Sequence, residues 1–190
     1  MSHGFEMAPS SRAVIDPATP MLLQPLARLL LWVNQGMVVL GMLALLVASL
    51  VLTSSVVSRY VMKASTDWQD EAAVFCLVGA TFMCGAFVQS MRGHVGIEAI
   101  AGLMPQSLNR MRLMLVDLLS FLFCAFFSWK SWTLFHEAWA EGQTTSSSWA
   151  PPLWIPYGLM AAGMSLLALQ IVVQLSARIN ALTGKKGAAT

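Results

Sequence analysis

Residues 29–57 read LLLWVNQGMVVLGMLALLVASLVLTSSVV, with no charged residue anywhere in the stretch. Drawn as a helix, it is apolar around its whole circumference, whereas a helix of a soluble bundle keeps one polar face. A bilayer core of about 30 Å takes about 20 such residues in a helix, because lipid offers no hydrogen bonds to an open backbone. Three more stretches meet the same condition: Ala72 to Met91, Leu113 to Phe135 and Leu153 to Leu175. The expected fold is all-α, an integral membrane protein of four transmembrane helices. The first apolar run is too long for a cleaved signal peptide and follows a polar tail, so it is expected to stay attached.

Composition agrees. Of 190 residues, 57% are hydrophobic and 11% charged, against roughly 25% charged in a soluble domain. The formal net charge of +2 gives no basic face for nucleic acid, so the expected surroundings are membrane lipid. Cys76, Cys84 and Cys124 all fall inside the spans, at spacings that match neither zinc pairs nor a disulfide framework. They read as packing residues, as do the scattered methionines.

Arg and Lys in short loops stay cytoplasmic, so their placement is an orientation signal. With four alternating helices, Arg12, Arg28, Arg92, Arg110, Arg112, Arg178, Lys185 and Lys186 share one side, opposed by Arg59, Lys63 and Lys130. Both termini are therefore expected in the cytoplasm. The far side collects Asp67, Asp70, Glu71, Glu137 and Glu141.

Residues 1–20 lack periodic apolar spacing and read as a disordered cytoplasmic tail; 21–182 read as the membrane domain and 183–190 as a second tail. Leu22, Leu26, Leu29 and Val33 recur at helical spacing, which predicts a lead-in along the cytoplasmic interface that runs into helix one. Thr66 three residues before Gln69 has the pattern of a capping box, with Asp67 and Asp70 at the positive end of helix two. Between helices two and three, Ile97, Ile100, Ala101 and Met104 fall on one face before Pro105, predicting a short interfacial helix. The polar run Gln143 to Ser148 supplies hydroxyls to cap helix four, while Trp149, Trp154 and Tyr157 stand where an aromatic belt belongs.

Chemistry is hard to build from these residues. His3, His94 and His136 lie outside the spans, where they cannot serve as axial haem ligands inside a bundle. No phosphate-binding glycine loop and no Ser, His and acid set is present. Asp117 is the clear ionisable group in a span, at a cost of about 2.5 to 3.5 kcal/mol if at a helix centre. Little more than one turn from Arg112, it reads as an ion-pairing or partner-docking group, or as a proton carrier. Lys130 can snorkel outward. Helix association in lipid depends on small residues, and Gly36, Gly41, Ala44 and Ala48 mark a stripe that meets either a partner or the chain's own bundle.

Taken in order, the polar landmarks form a distinctive set: Arg59-Tyr60 after helix one, Trp68 with Glu71 opening helix two, and Arg92-Gly93-His94-Val95-Gly96-Ile97 closing it. Pro105 follows, then Pro152, Trp154, Pro156 and Tyr157 opening helix four. From about Leu26 to Leu182 this resembles the small membrane subunit, of DctQ type, of tripartite ATP-independent periplasmic (TRAP) transporters. The Gly-His-Val-Gly-Ile segment is its most specific part. The resemblance implies a bacterial inner-membrane protein, not an enzyme, that partners a larger membrane subunit and a soluble periplasmic substrate-binding protein. Such systems import carboxylates on a sodium gradient. The large subunit would hold substrate and sodium and move as an elevator, so this chain would need no cofactor or metal and would brace it as a scaffold. Asp70, Glu71, Glu137 and Glu141 are then candidates for docking the binding protein. Two other classes stay open on the residues alone: a self-sufficient homo-oligomeric transporter or channel using Asp117, and the membrane anchor of a redox enzyme.

Overall fold

The computed structural model describes residues 19–63, 66–91 and 106–187, with side-chain surroundings given for 111–180 of the last segment. The interfacial helix expected before Pro105 lies outside the described residues, as do the tail through residue 18 and Arg92, Gly93, His94 and Gly96.

Among the described residues the regular structure is helical: α1 (Gln24–Val61), α2 (Asp67–Ser90), α3 (Gln106–Glu141) and α4 (Trp154–Gly187). All four are long and apolar enough to cross a membrane. The lead-in is not a separate element. A 3-10 turn, Met21–Leu23, feeds directly into α1, and Pro25 in the first turn costs no intrahelical bond. At about 1.5 Å per residue, the 38 residues of α1 make a rod of about 57 Å.

α1 packs along α2, α2 along α4 and α4 along α3, while α1 touches α4 only lightly. α4 is thus central: 39% of its spanning window is buried, against 11% for α1 and 17% for each of the other two. The crossings are made by small residues. Ala73, Ala80 and Ala86 of α2, Ala138 of α3, and Ala161 and Ala177 of α4 are buried. A Cβ on Gly163 would overlap the Phe82 carbonyl, so α2 and α4 meet backbone to backbone there. Close approach of this kind is what holds helices together where lipid is as apolar as leucine. Larger side chains fill the gaps: Cys124 of α3 joins Met164 and Ile171 of α4, flanked by Phe82, Phe121 and Phe127. All three thiols are free.

The capping box at Thr66 does not form. Thr66 is the N-cap of α2, but its hydroxyl makes no capping bond; it accepts from Arg59 Nη2 at 2.8 Å and Nε at 3.2 Å. A charge-assisted bond outcompetes a bond to a backbone amide. Asp67 and Asp70 do occupy the first turn.

Candidate functional site

The ion pairs of Arg59 with Asp70 and Arg178 with Asp117 lie towards the two ends of the bundle, with part-buried polar pairs such as Ser128 and Ser165, 2.8 Å apart, between them. At the hairpin end, where α1 meets α2 and α3 meets α4, Arg59 is the centre. Its Nη2 donates to Asp70 Oδ2 at 2.8 Å and to Ser55 Oγ at 3.4 Å, and Ser55 Oγ donates to Asp70 Oδ1 at 3.0 Å. Arg59 and Asp70 are each about half exposed, so the clasp gains more from its network than from its single ion pair.

The connection between α3 and α4 lies over the start of α2. Gly142 takes φ +62°, the left-handed cap that lets Gln143 N–H reach the Ala138 carbonyl at 3.0 Å. The strands of the loop then clip together, with Thr145 N–H on the Pro151 carbonyl at 3.1 Å and Leu153 N–H on that of Gln143 at 2.9 Å. Its hydroxyls go to this clip and to α2 rather than to the cap of α4. Ser147 Oγ accepts from Ala150 N–H at 3.2 Å, and Ser148 Oγ donates to Asp67 Oδ2 at 2.9 Å. Trp149 meets Trp68 edge to face with centroids 6.4 Å apart, and Trp139 meets Trp154 at 4.9 Å. Aromatic pairs therefore tie all three nearby elements at the level where an amphipathic belt belongs.

The sequence-derived acids separate here. Asp70 is engaged by Arg59. Glu71 is half-buried, with Oε2 shielded and lacking a hydrogen-bond partner. Glu137 and Glu141 are exposed, the latter accepting from Gln143 Nε2 at 2.8 Å. Tyr60 projects outward at 82% exposure. Pro152 belongs to the clip, and Pro156 is buried and Tyr157 half-buried in the first turn of α4.

At the opposite end, Asp117 is buried and meets Arg178 Nη1 at 2.9 Å. The sequence points to Arg112 as the arginine near Asp117, and Arg178 reads there only as part of a basic helix end; the pairing with Arg178 comes from the packing of α3 on α4. Two amide pairs are missed by the sequence reading: Gln89 with Gln174 at 2.9 Å, and Asn34 with Gln170 at 3.2 Å. The signal for them was the recurrence of polar residues every fourth position in α4.

The small-residue stripe of α1 divides. Gly41 faces Ala80 and Cys84 of α2, and Ala48 is buried. Gly36 points away, with nothing within 4 Å of an added Cβ. Ala44 lines an apolar crevice of about 330 Å³ between α1, α2 and the start of α4. The face of α1 turned from the bundle is large and apolar, with Trp32, Leu46 and Leu50 between 62% and 80% exposed. α3 presents Phe123, Phe126 and Trp129 in the same way. No group of metal-ligating side chains comes together among the described residues.

Among curated proteins and among solved structures, nothing matches the chain. The family model for tripartite ATP-independent periplasmic transporters, DctQ component, matches residues 48–181, well over half of it. That match runs from the middle of α1 to residue 181 in α4, so the aromatic and charged clasp at the hairpin end and the Gln89–Gln174 and Asp117–Arg178 pairs lie inside it, while Asn34 precedes it. The chain therefore belongs to the DctQ family, the small membrane subunits of TRAP transporters.

Proposed function

We propose that this subunit is the stationary scaffold of a secondary importer that moves a carboxylate on a sodium gradient, bracing a large elevator subunit in the bacterial inner membrane. The observation that carries the reading is how its polar groups are used. Asp117, a carboxylate within a span, is held by Arg178, and the amides of Gln89 and Gln174 bond one helix to another. Such links tie one helix to the next, as a scaffold requires. The faces turned outward on α1 and α3 are apolar, suited to lipid or to a neighbouring helix. Sodium and substrate would then bind the large subunit, with no cofactor here.

The Arg and Lys bias supports cytoplasmic termini, which puts the hairpin end in the periplasm. There Glu137 and Glu141 are exposed and would help a soluble binding protein approach, acting mostly on encounter rate. The test is uptake into proteoliposomes holding the large subunit and binding protein, with and without this chain. Accumulation should need all three and a sodium gradient; sodium-driven accumulation by this chain alone would sink the proposal.

A further inference from the structure

α4 carries three polar side chains at intervals of four, Gln170, Gln174 and Arg178, and each is spent on a different helix. Gln170 Oε1 accepts from Asn34 Nδ2 of α1 at 3.2 Å. Gln174 makes a two-way pair with α2: its Oε1 accepts from Gln89 Nε2 and its Nε2 donates to the Gln89 carbonyl, both at 2.9 Å. Arg178 meets Asp117 of α3 at 2.9 Å.

Intervals of four stack side chains a turn apart along one stripe. The rungs are largely shielded: Asn34, Asp117, Gln170 and Gln174 are between 1% and 8% exposed, and Gln89 and Arg178 are half-buried. They are also costly, because Asn34 Oδ1 is sealed from solvent without a hydrogen-bond partner. Alanine and glycine interfaces alone offer few features to stop one helix sliding or rolling on another. A buried polar pair resists that, since a wrong register leaves its groups unbonded in lipid.

We propose that Gln170, Gln174 and Arg178 form a registration key on α4 that sets the rotation and height of α1, α2 and α3 separately. By doing so the key selects which faces the outer helices turn outward. A slip of one position turns a helix by about 100°, enough to carry Trp32 and Leu46 of α1 off the outward side. That the selected faces meet the large subunit rests on the scaffold reading; the key itself does not.

The test uses disulfide formation in membranes, in full-length chain with the native cysteines replaced by alanine. Three reporter pairs follow the three neighbours of α4: Leu30→Cys with Val173→Cys, Phe82→Cys with Met164→Cys, and Ser128→Cys with Ser165→Cys. Each is combined in turn with Asn34→Leu, Gln174→Leu or Asp117→Leu. Each variant should lower the yield of its own pair by at least about threefold, the weight of one interhelical hydrogen bond, and leave the other two unchanged. Asp117→Arg combined with Arg178→Asp should restore the α3 yield. Yields that never change, or that fall together whichever residue is altered, would overturn the key. If the key holds but the variants copurify with the large subunit as the unaltered chain does, only the partner clause is lost.

Discussion

Gly163 and Gly36 show how differently one residue type is used in a single bundle. A methyl group on Gly163 would run into the Phe82 carbonyl, and backbone cannot step aside as a side-chain tip can. Gly163→Ala should therefore cost about 1–3 kcal/mol as overpacking, read as a lower thermal midpoint in detergent. Gly36 has open space around it, so Gly36→Ala should gain about 0.5–1 kcal/mol from helix propensity in the same assay. Charge obeys the same dependence on place. Asp117→Ala removes one half of a buried pair and should cost about 3 kcal/mol. Arg59→Ala breaks a half-exposed pair and should cost about 1 kcal/mol or less in its ion-pair part. Equal losses at the two sites would show that burial does not rank them.

At the scale of elements, the clasp between α1 and α2 replaces a cap with a crosslink. Thr66 gives its hydroxyl to Arg59 rather than to its own helix. Thr66→Ser should keep the clasp and Thr66→Ala lose about 1 kcal/mol; a thermal midpoint unchanged by Thr66→Ala would remove the clasp from the account. The helices themselves were legible in the sequence, because an all-round apolar run has one stable form in lipid and needs no knowledge of its neighbours. Pairing was not. Asp117 and Arg178 sit on different helices, and nothing in either local sequence names the other. Thr66 failed for the same reason, since a capping pattern is local and its competitor came from α1. Gly41, Ala44 and Ala48 were visible as small residues, but the turn of α1 that brings Gly41 onto α2 and buries Ala48 while sparing Gly36 depends on how the neighbouring helices lie.

For the whole molecule, the order of packing leaves α1 held mainly along one side, with its other side apolar and turned outward. Leu46→Ser with Leu50→Ser, on the outward face, should leave the thermal midpoint of the isolated subunit within about 0.5 kcal/mol yet weaken copurification with the large subunit. Gly41→Leu, pressed against Cys84, should lower that midpoint first; the reverse pattern would reassign the two faces. The helices also differ in reach. Between Arg28 and Arg59, α1 runs uncharged through residues 29–58, about 45 Å of helix, while α2 has residues 72–90, about 28 Å. The two sides of the subunit therefore ask for different hydrophobic thicknesses, and the acyl chains around it must grade from one to the other or α1 must lean steeply. Bilayer chain length thus becomes a mechanical input to this subunit, felt most strongly where α1 borders the lipid.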